Sequence, residues 1–541
     1  MKRNKIAFAG LALLGASSIV LAGCASGGGD TDSSETPNEG SSAAVITTNG
    51  SEPQNPLIPT NTTETGGGKI VDSLFAGLVT YKADGSVEND VAEDITVDSP
   101  TQITVKLREG LTFTDGTPVQ AHNFIDAWNY GADPENAHGG SYFFSEIEGF
   151  GEGAELSGLA EVDDYTFTIT LNTPATDFAQ RLGYSAFYPL PDAAFEDIEA
   201  FGQNPIGNGP YKLDGDAAWE HDVKISLVTN EDYDGPREPA NGGLEISFYA
   251  SQDAAYAALL GGDLDVLDAI PDSAFGNYET DLDGRSVNQP AAIFQSLTIP
   301  QYLEHFQGEE GQLRRQALSL AINRDEITEV IFQGTRTPAT DFTSPVIDGW
   351  TDELEGADVL GYDPERAKEL WAEADEISPY EGTFTISYNA DGGHQTWVDA
   401  VANSIKNTLG IEAEGNAYPD FASLLEDEDN DAMTGSFRSG WQADYPGLYN
   451  FLGPLYQTGA GSNYGRYSSD EFDSLIKEGI SEADQETATG LFLDAQEVLL
   501  QDLPVLPLWY SNVVGGYSAA VDNVEFGWNS VPLYEEITKA E

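Results

Sequence analysis

RSGWQADYPGLYNFL, residues 438–452, is the stretch from which both the architecture and the ligand chemistry of this chain can be inferred. It contains a cation, Arg438, and an anion, Asp444, with Trp441 between them. Its glycine and proline residues disfavour regular structure, so a loop or the end of a strand is expected. A carboxylate beside aromatic rings and bare backbone can receive an ammonium group through charge-assisted hydrogen bonds and cation–π contact. The same residues would equally suit a core tryptophan beside a surface aspartate.

The motif GW-x-ADYP followed by NFL, in residues 440–452, resembles the ligand-site loop of bacterial peptide-binding proteins. These proteins are the extracellular solute-binding components, family 5, of oligopeptide and dipeptide ABC importers. In that family the aspartate of the motif binds the α-amino group of the peptide, so the resemblance implies this role for Asp444. An arginine six residues earlier, here Arg438, binds the carboxylate of a short peptide in some members. The other ligand-binding residues expected from this motif are Gly440, Trp441 and Tyr445.

Several other blocks of the chain resemble the same family, among them residues 107–128, 204–213 and 314–327. In the second block, NPIGNGPYKL, two glycines flank Asn208, which suits either a ligand contact or a purely structural turn. A triple glycine follows Thr65, and glycine lets a backbone approach its neighbours closely. Since the family lines the peptide with a loop at this point, Thr65 is a candidate ligand contact, with an ordinary flexible turn as the alternative.

The amino terminus has the pattern of an exported lipoprotein. Basic residues precede an apolar run over residues 6–21, which predicts a signal peptide at 1–23. Leu-Ala-Gly-Cys at 21–24 resembles a lipobox, so Cys24 is expected to carry the lipid anchor; a cleavage site that happens to contain cysteine is the alternative. Residues 24–43 are rich in small and polar residues and predict a flexible linker. Cys24 is the sole cysteine, which excludes an intrachain disulfide.

Charge and motifs argue against several classes of function. The formal net charge is −69, which disfavours nucleic-acid binding. The sequence has no G-x-S-x-G or H-E-x-x-H motif, and its five histidines are scattered. Asp427, Asp429 and Asp431 begin like a calcium loop, but Ala432 stands where glycine is needed. We therefore expect no enzymatic activity, no cofactor and no metal.

Repeated strand-then-helix patterns predict an α/β fold with a largely parallel sheet. The resemblance implies a two-lobed, periplasmic-binding-protein-like fold of type II, with an additional domain in the first lobe and a hinge of two crossing segments. The polar segment 232–242 and the segment 503–510 are the predicted crossings. The predicted units are the first-lobe core (44–77, 185–239 and 508–541), its extra domain (78–184) and the second lobe (240–507).

The resemblance also implies a function and its partners. The chain would be a monomeric, lipid-anchored receptor at the extracellular face of the cell membrane, more in keeping with a Gram-positive surface than with a periplasm. It would capture peptides between two closing lobes and deliver them to the permease and ATPase subunits of an ABC importer. The alternative is the same receptor fold with a non-peptide solute, such as an oligosaccharide, a metal chelate or haem. An enzyme or an adhesin is a third possibility, for which no activated nucleophile is visible.

Overall fold

The computed structural model describes residues 44–62, 64–153, 155–175, 177–249, 251–390, 393–419, 421–482 and 484–539. The predicted signal peptide, the lipid anchor at Cys24 and the linker lie outside the described residues. Within the described ranges, no helix combines the length and the apolar character that crossing a membrane requires.

Twenty strands form the sheets of the described chain. In chain order they are β1 (Ile46–Gly50), β2 (Val79–Tyr81), β3 (Val87–Asn89), β4 (Ala92–Ser99), β5 (Gln102–Leu107), β6 (Leu159–Asp163), β7 (Thr166–Thr170), β8 (Tyr211–Leu213), β9 (Trp219–Glu220), β10 (Lys224–Thr229), β11 (Gly243–Phe248), β12 (Val266–Leu267), β13 (Ser286–Thr298), β14 (Arg336–Pro338), β15 (Thr383–Asn389), β16 (Glu412–Tyr418), β17 (Ser436–Gln442), β18 (Val505–Tyr517), β19 (Val521–Asp522) and β20 (Thr538–Lys539).

Fourteen α-helices pack on these sheets in the described chain. They are α1 (Thr65–Leu74), α2 (Ala121–Ala132), α3 (Phe178–Arg181), α4 (Ile198–Gln203), α5 (Gln252–Gly261), α6 (Tyr278–Asp281), α7 (Gly308–Leu320), α8 (Arg324–Val330), α9 (Pro364–Ile377), α10 (Gln395–Leu409), α11 (Phe421–Asp429), α12 (Leu448–Tyr456), α13 (Asp470–Ser481) and α14 (Gln485–Asp502).

A twelve-stranded sheet connects two separate hydrophobic cores. Its order is β16-β15-β17-β13-β18-β12-β1-β11-β10-β8, with β14 on β18 and β9 on β10. One core includes Ile46 and Trp128, whereas the other includes Leu318 and Trp397. The first core also covers the four-stranded sheet β4-β5-β7-β6, which falls within the predicted extra domain. Two cores joined through one sheet give the chain two lobes.

The long antiparallel pair β13 and β18 joins the lobes. Ser286 to Pro290 pair with Gly516 to Asn512, and Phe294 to Thr298 pair with Tyr510 to Val505, with an irregular register between the two stretches. At one end β18 also pairs with β12, and at the other end β13 also pairs with β17. The crossings between lobes therefore lie in the middle of these two strands.

The predicted lobe boundary near residue 240 is wrong. β11 pairs in parallel with β1, with Leu244 opposite Ile46, and β12 pairs with β1 at Thr48. Residues 243–267 therefore extend the first-lobe sheet, and 232–242 only connects the antiparallel neighbours β10 and β11. A polar segment with prolines is as typical of such a connection as of an interlobe crossing. The sheet is also mixed rather than largely parallel, since β13 and β18 are antiparallel to their neighbours.

The triple glycine belongs to a helix, although the sequence predicted a loop. α1 begins at Thr65 and ends at Leu74, with Glu64 as its N-cap; Glu64 Oε2 accepts from the Gly67 N–H at 2.8 Å. A Cβ on Gly67 would lie 2.5 Å from Thr62 Cγ2, so the missing side chain allows close packing against the preceding loop. This packing outweighs the roughly 1 kcal/mol by which glycine disfavours a helix.

Candidate ligand-binding site

Asp444 lies in the loop that follows β17, as predicted. β17 pairs antiparallel with β13, and Trp441 stands opposite Phe294 near the end of that pairing. Residues 443–447 then lead to α12, whose first residue is Leu448. The carboxylate is thus carried by a short connection between a central strand and a buried helix.

Asn450, in the first turn of α12, holds this loop in place. Its Oδ1 accepts from the Asp444 backbone N–H at 3.0 Å and from Trp441 Nε1 at 3.1 Å, while its Nδ2 donates to Asp444 Oδ2 at 3.0 Å. Asn450 is only 3 % exposed. The asparagine of the NFL motif therefore orients both the aspartate and the tryptophan, a role that the sequence did not reveal.

The Asp444 carboxylate has no cationic partner in the described part of the chain: no lysine, arginine or histidine there forms an ion pair with it. Burial raises the pKa of Asp444, and the hydrogen bond from Asn450 offsets part of this effect. An ionised carboxylate in this position is under-compensated, which favours the arrival of a cation.

A cavity of about 310 Å³ lies against Asp444. Gln442, Ala443 and Asp444 from the second lobe line it together with first-lobe residues, so the cavity is between the lobes. The first-lobe side includes the start of α1, the end of β2, and aromatic side chains from distant segments. Those aromatic residues are Tyr81, Tyr184, Tyr188, Tyr211 and Tyr534; Trp528, whose side chain packs in the core of the second lobe, also lines the cavity.

Thr65 lines the same cavity as Asp444. It is the first residue of α1 and its side chain is exposed. The structure therefore brings together these two candidates, which are separated by more than half of the chain.

Three other candidates lie on β17 and do not line this cavity. Arg438 Nε donates to Asn389 Oδ1 at 2.8 Å. Burial raises the pKa of Glu428 to about 8, and the positive charge of Arg438 offsets part of this increase. Gly440 is exposed opposite Gln295 on β13, and the half-buried Trp441 is bound to the asparagine of α12. Six residues of extended chain span about 20 Å. Arg438 therefore lies too far along the chain to line the cavity at Asp444. Its binding of a peptide carboxylate stays a prediction, for a different part of the cleft.

Tyr445 points away from the cavity, which corrects its expected role as a direct contact there. It is 3 % exposed, and its hydroxyl donates to Asp177 Oδ2 at 2.8 Å. The Arg181 guanidinium lies 5.2 Å from the Tyr445 ring centroid and 5.5 Å from that of Tyr449. Tyr445 therefore packs the second lobe against the predicted extra domain of the first.

Asn208 has a structural role, so the alternative given for it is the correct one. Its Oδ1 accepts from the Ala76 N–H and its Nδ2 donates to the Ala76 carbonyl, both at 3.0 Å. A Cβ on Gly207 would lie 1.9 Å from the Leu74 carbonyl oxygen. The glycines beside Asn208 thus let this turn close on the end of α1, and the asparagine amide is used there.

The sequence did not reveal a group of charged residues in the cavity wall. Arg237 donates from Nη1 to the Asp72 carbonyl at 2.7 Å and from Nη2 to the Phe75 carbonyl at 2.9 Å. Burial raises the pKa of the Asp72 carboxyl to about 6, against the opposing effects of Arg237 and a hydrogen bond from Tyr188. Burial likewise raises the pKa of Glu535, again against Arg237. These residues come from three distant segments and form no motif.

Comparison with known proteins identifies the family of the chain. The family described as bacterial extracellular solute-binding proteins, family 5 Middle, matches residues 86–463, well over half of the chain. The dipeptide-binding protein DppE of Bacillus subtilis is 26 % identical over 461 residues, 82 % of each chain. The oligopeptide-binding protein OppA of Salmonella typhimurium is 27 % identical over 533 residues, 89 % of this chain and 91 % of its own.

Solved structures share the whole fold. The unliganded open form of the murein tripeptide binding protein MppA matches with a TM-score of 0.80 at 22 % identity, over 92 % of this chain and 98 % of its own. DppA of Helicobacter pylori, in complex with the peptide STSA, matches with a TM-score of 0.71 at 21 % identity and the same coverage. The two-lobed fold class is thereby confirmed, and a family of solute-binding proteins confirms the expectation of a binding protein rather than an enzyme. The chain belongs to family 5 of the bacterial extracellular solute-binding proteins.

Proposed function

We propose that this protein is the peptide-binding receptor of an ABC importer, with Asp444 as the acceptor for the peptide's α-ammonium group. The observation that carries the proposal is a carboxylate that lines an interlobe cavity and has no cationic partner in the described chain. Relatives named for dipeptide and oligopeptide binding, which cover most of the chain, support a peptide as the solute.

Binding of an ammonium group would supply the cationic partner that the Asp444 carboxylate lacks. Asn450 already fixes the loop, so the carboxylate is preorganised and little ordering entropy remains to be lost on binding. An ammonium group adjacent to Asp444 Oδ1 and Oδ2 would form charge-assisted hydrogen bonds in a partly desolvated space. Closure of the lobes about the β13–β18 connection would then bury the ligand and present one compact surface to the permease.

The finer features of this proposal are a lipid anchor at Cys24, a monomeric state, and attachment to the outer face of a Gram-positive membrane. The support is the Leu-Ala-Gly-Cys sequence after a basic and apolar leader. Intact-mass measurement of detergent-extracted protein tests the anchor, because cleavage before Cys24 and acylation change the mass in opposite directions. A Cys24→Ser variant should remain unprocessed and lack the acyl mass.

Mass spectrometry of molecules released by mild unfolding tests the choice of solute. Peptides with free amino termini are the expected result. A haem or saccharide in their place would favour the alternative solute and overturn the peptide proposal.

Calorimetry with one co-purified peptide, free and N-acetylated, tests the assignment to Asp444. Acetylation removes the ammonium charge and should weaken binding by about tenfold or more, since losing one partner of such a buried pair costs about 2–5 kcal/mol. Equal affinity for the two forms would contradict the assignment of Asp444.

A further inference from the structure

The interlobe cavity has more negative than positive groups available to a ligand. Its lining contains four carboxylates and three cations from separate parts of the chain. The carboxylates are Glu64, Asp72, Asp444 and Glu535, and the cations are Lys69, Lys82 and Arg237.

Each of the three cations already has an acidic partner outside the lining. Pairing of this kind offsets the positive charge without using a cavity carboxylate, but less fully for Arg237, which shares Asp90 with Arg108 and whose charge also acts on Asp72 and Glu535. The pairs are Lys69 Nζ with Asp268 Oδ2, Lys82 Nζ with Glu88 Oε2 at 3.5 Å, and Arg237 Nε with Asp90 Oδ2 at 3.5 Å.

Two of the carboxylates besides Asp444 remain without an ion pair in the described chain. Asp72 Oδ1 accepts from the Tyr188 hydroxyl at 3.2 Å, whereas Arg237 donates to the backbone carbonyl of Asp72 and not to its carboxylate. Among the described residues, the Glu535 carboxylate accepts a hydrogen bond only from its own backbone N–H. Glu64 differs from both, because it caps α1.

Aromatic side chains line the same cavity as these carboxylates and Asp444. Trp528 is 5 % exposed and stands edge-on to Tyr81, with ring centroids 5.4 Å apart. The Trp528 side chain lines the cavity. Burial raises the pKa values of Tyr81 and Tyr184, and the charges of Asp72 and Asp444 raise both further, so the two carboxylates act on one shared space.

Building on the proposed peptide-binding function, we propose that Asp72 and Glu535 form a second cation subsite, which takes the lysine or arginine side chain of the peptide's first or second residue. Asp444 would hold the amino group of the same peptide. A lysine stem places its ammonium about 6 Å from its Cα, which lets one ligand place two cations in this cavity. Aromatic walls around the subsite favour a cation over an apolar side chain of equal length.

Calorimetry on the full chain with matched peptides tests the subsite. The probes are Lys-Ala-Ala and norleucine-Ala-Ala, Ala-Lys-Ala and Ala-norleucine-Ala, and pentapeptides extended with alanine. At one of the two positions lysine should bind at least about tenfold more tightly than norleucine, and Nε-acetylation should abolish the difference. The Asp72→Asn/Glu535→Gln double variant should bring the lysine-to-norleucine ratio within about twofold of unity. The control Glu536→Gln, at an exposed carboxylate next to Glu535 that does not line the cavity, should keep the wild-type ratio.

The outcomes separate this inference from the function on which it rests. Equal affinity for lysine and norleucine at both positions in the wild-type protein would overturn the subsite and leave the peptide receptor intact. Absence of binding to every free-amino peptide would overturn both. If the double variant fails to fold, the comparison of lysine with norleucine in the wild-type protein decides the proposal. A folded double variant that keeps the full lysine preference would overturn the assignment of the subsite to Asp72 and Glu535.

Discussion

Asp444→Asn removes the charge of the central carboxylate and keeps its shape. The oxygen that accepts from Asn450 Nδ2 at 3.0 Å is retained in an amide, and the backbone N–H of residue 444 still reaches Asn450 Oδ1. The loop should therefore hold its conformation. Only the attraction for an ammonium group is lost, so affinity reports on the charge and not on a collapsed loop.

The magnitude follows from the missing cationic partner. No described cation pairs with Asp444, so the ligand's ammonium would be the group that compensates this charge, and its loss should cost about 2–5 kcal/mol. Because Asp444 is half-buried rather than fully enclosed, the lower end applies, which corresponds to a decrease in affinity of about 30-fold. Burial raises the pKa of Asp444, which means that ionisation opposes folding at neutral pH. The ligand-free variant should therefore be at least as stable as the wild type.

A double-mutant cycle in the calorimeter distinguishes this account from general damage. Wild type and Asp444→Asn are each titrated at pH 7.5 with one peptide in its free and N-acetylated forms, and urea unfolding is measured without ligand. Acetylation should weaken binding to the wild type by about tenfold or more and have little effect on the variant. An acetylation effect of equal size in both proteins, or a variant that binds the free peptide within threefold of wild type, would refute the reasoning.

Three further outcomes follow from the geometry. Affinity for a peptide with lysine at the preferred position should fall about tenfold between pH 7.5 and pH 5 in calorimetric titrations, because burial raises the pKa of Asp72 to about 6 and the proposed lysine subsite needs this carboxylate ionised; constant affinity would contradict this. Gly67→Ala should lower the urea unfolding free energy by about 1–3 kcal/mol, since its Cβ would meet a threonine methyl at 2.5 Å, whereas the control Gly68→Ala, with open space, should leave stability unchanged or raise it. Tyr445→Phe should cost about 0.5–1.5 kcal/mol in the same assay by removing the 2.8 Å bond to Asp177, which keeps its two hydrogen bonds from Arg181, and no loss would show that the contact contributes nothing in solution.

The resemblance of several sequence blocks to family 5 predicted the fold class, and the residues around Asp444 predicted that it lies in a loop or at a strand end. The motif around Asp444 has a glycine, an aromatic residue and an acid at fixed spacing, and the strand-then-loop conformation follows directly from it. The lobe boundary near 240 was wrong because composition identifies a connection without showing which strands it connects. The pairing of Leu244 with Ile46 joins residues about 200 positions apart, and no local pattern contains that information.

The predictions of Asn208 and Tyr445 as ligand contacts were wrong for a common physical reason. Asn208 and Tyr445 have polar groups that suit a ligand, yet each finds its partner inside the protein, at Ala76 and at Asp177 respectively. Which acceptor a side chain meets depends on tertiary packing, since a buried polar group takes whichever partner the fold provides. Glu535 was missed for the opposite reason. Among so many acids, an unpaired carboxylate can be recognised only by its surroundings.

The loop at 443–447 places two different functions on adjacent residues. Asp444 faces the cavity, while the next side chain, Tyr445, extends to the extra domain, where its hydroxyl meets Asp177 and its ring lies under Arg181. A ligand at Asp444 and the extra domain at Tyr445 would therefore both contact the same short loop, which a hydrogen bond to Asn450 joins to α12. A shift of this loop that improves contact with an ammonium group must also alter the packing between lobes, because the two residues share a backbone. This physical link makes the loop the place where occupancy of the cavity can bias lobe closure.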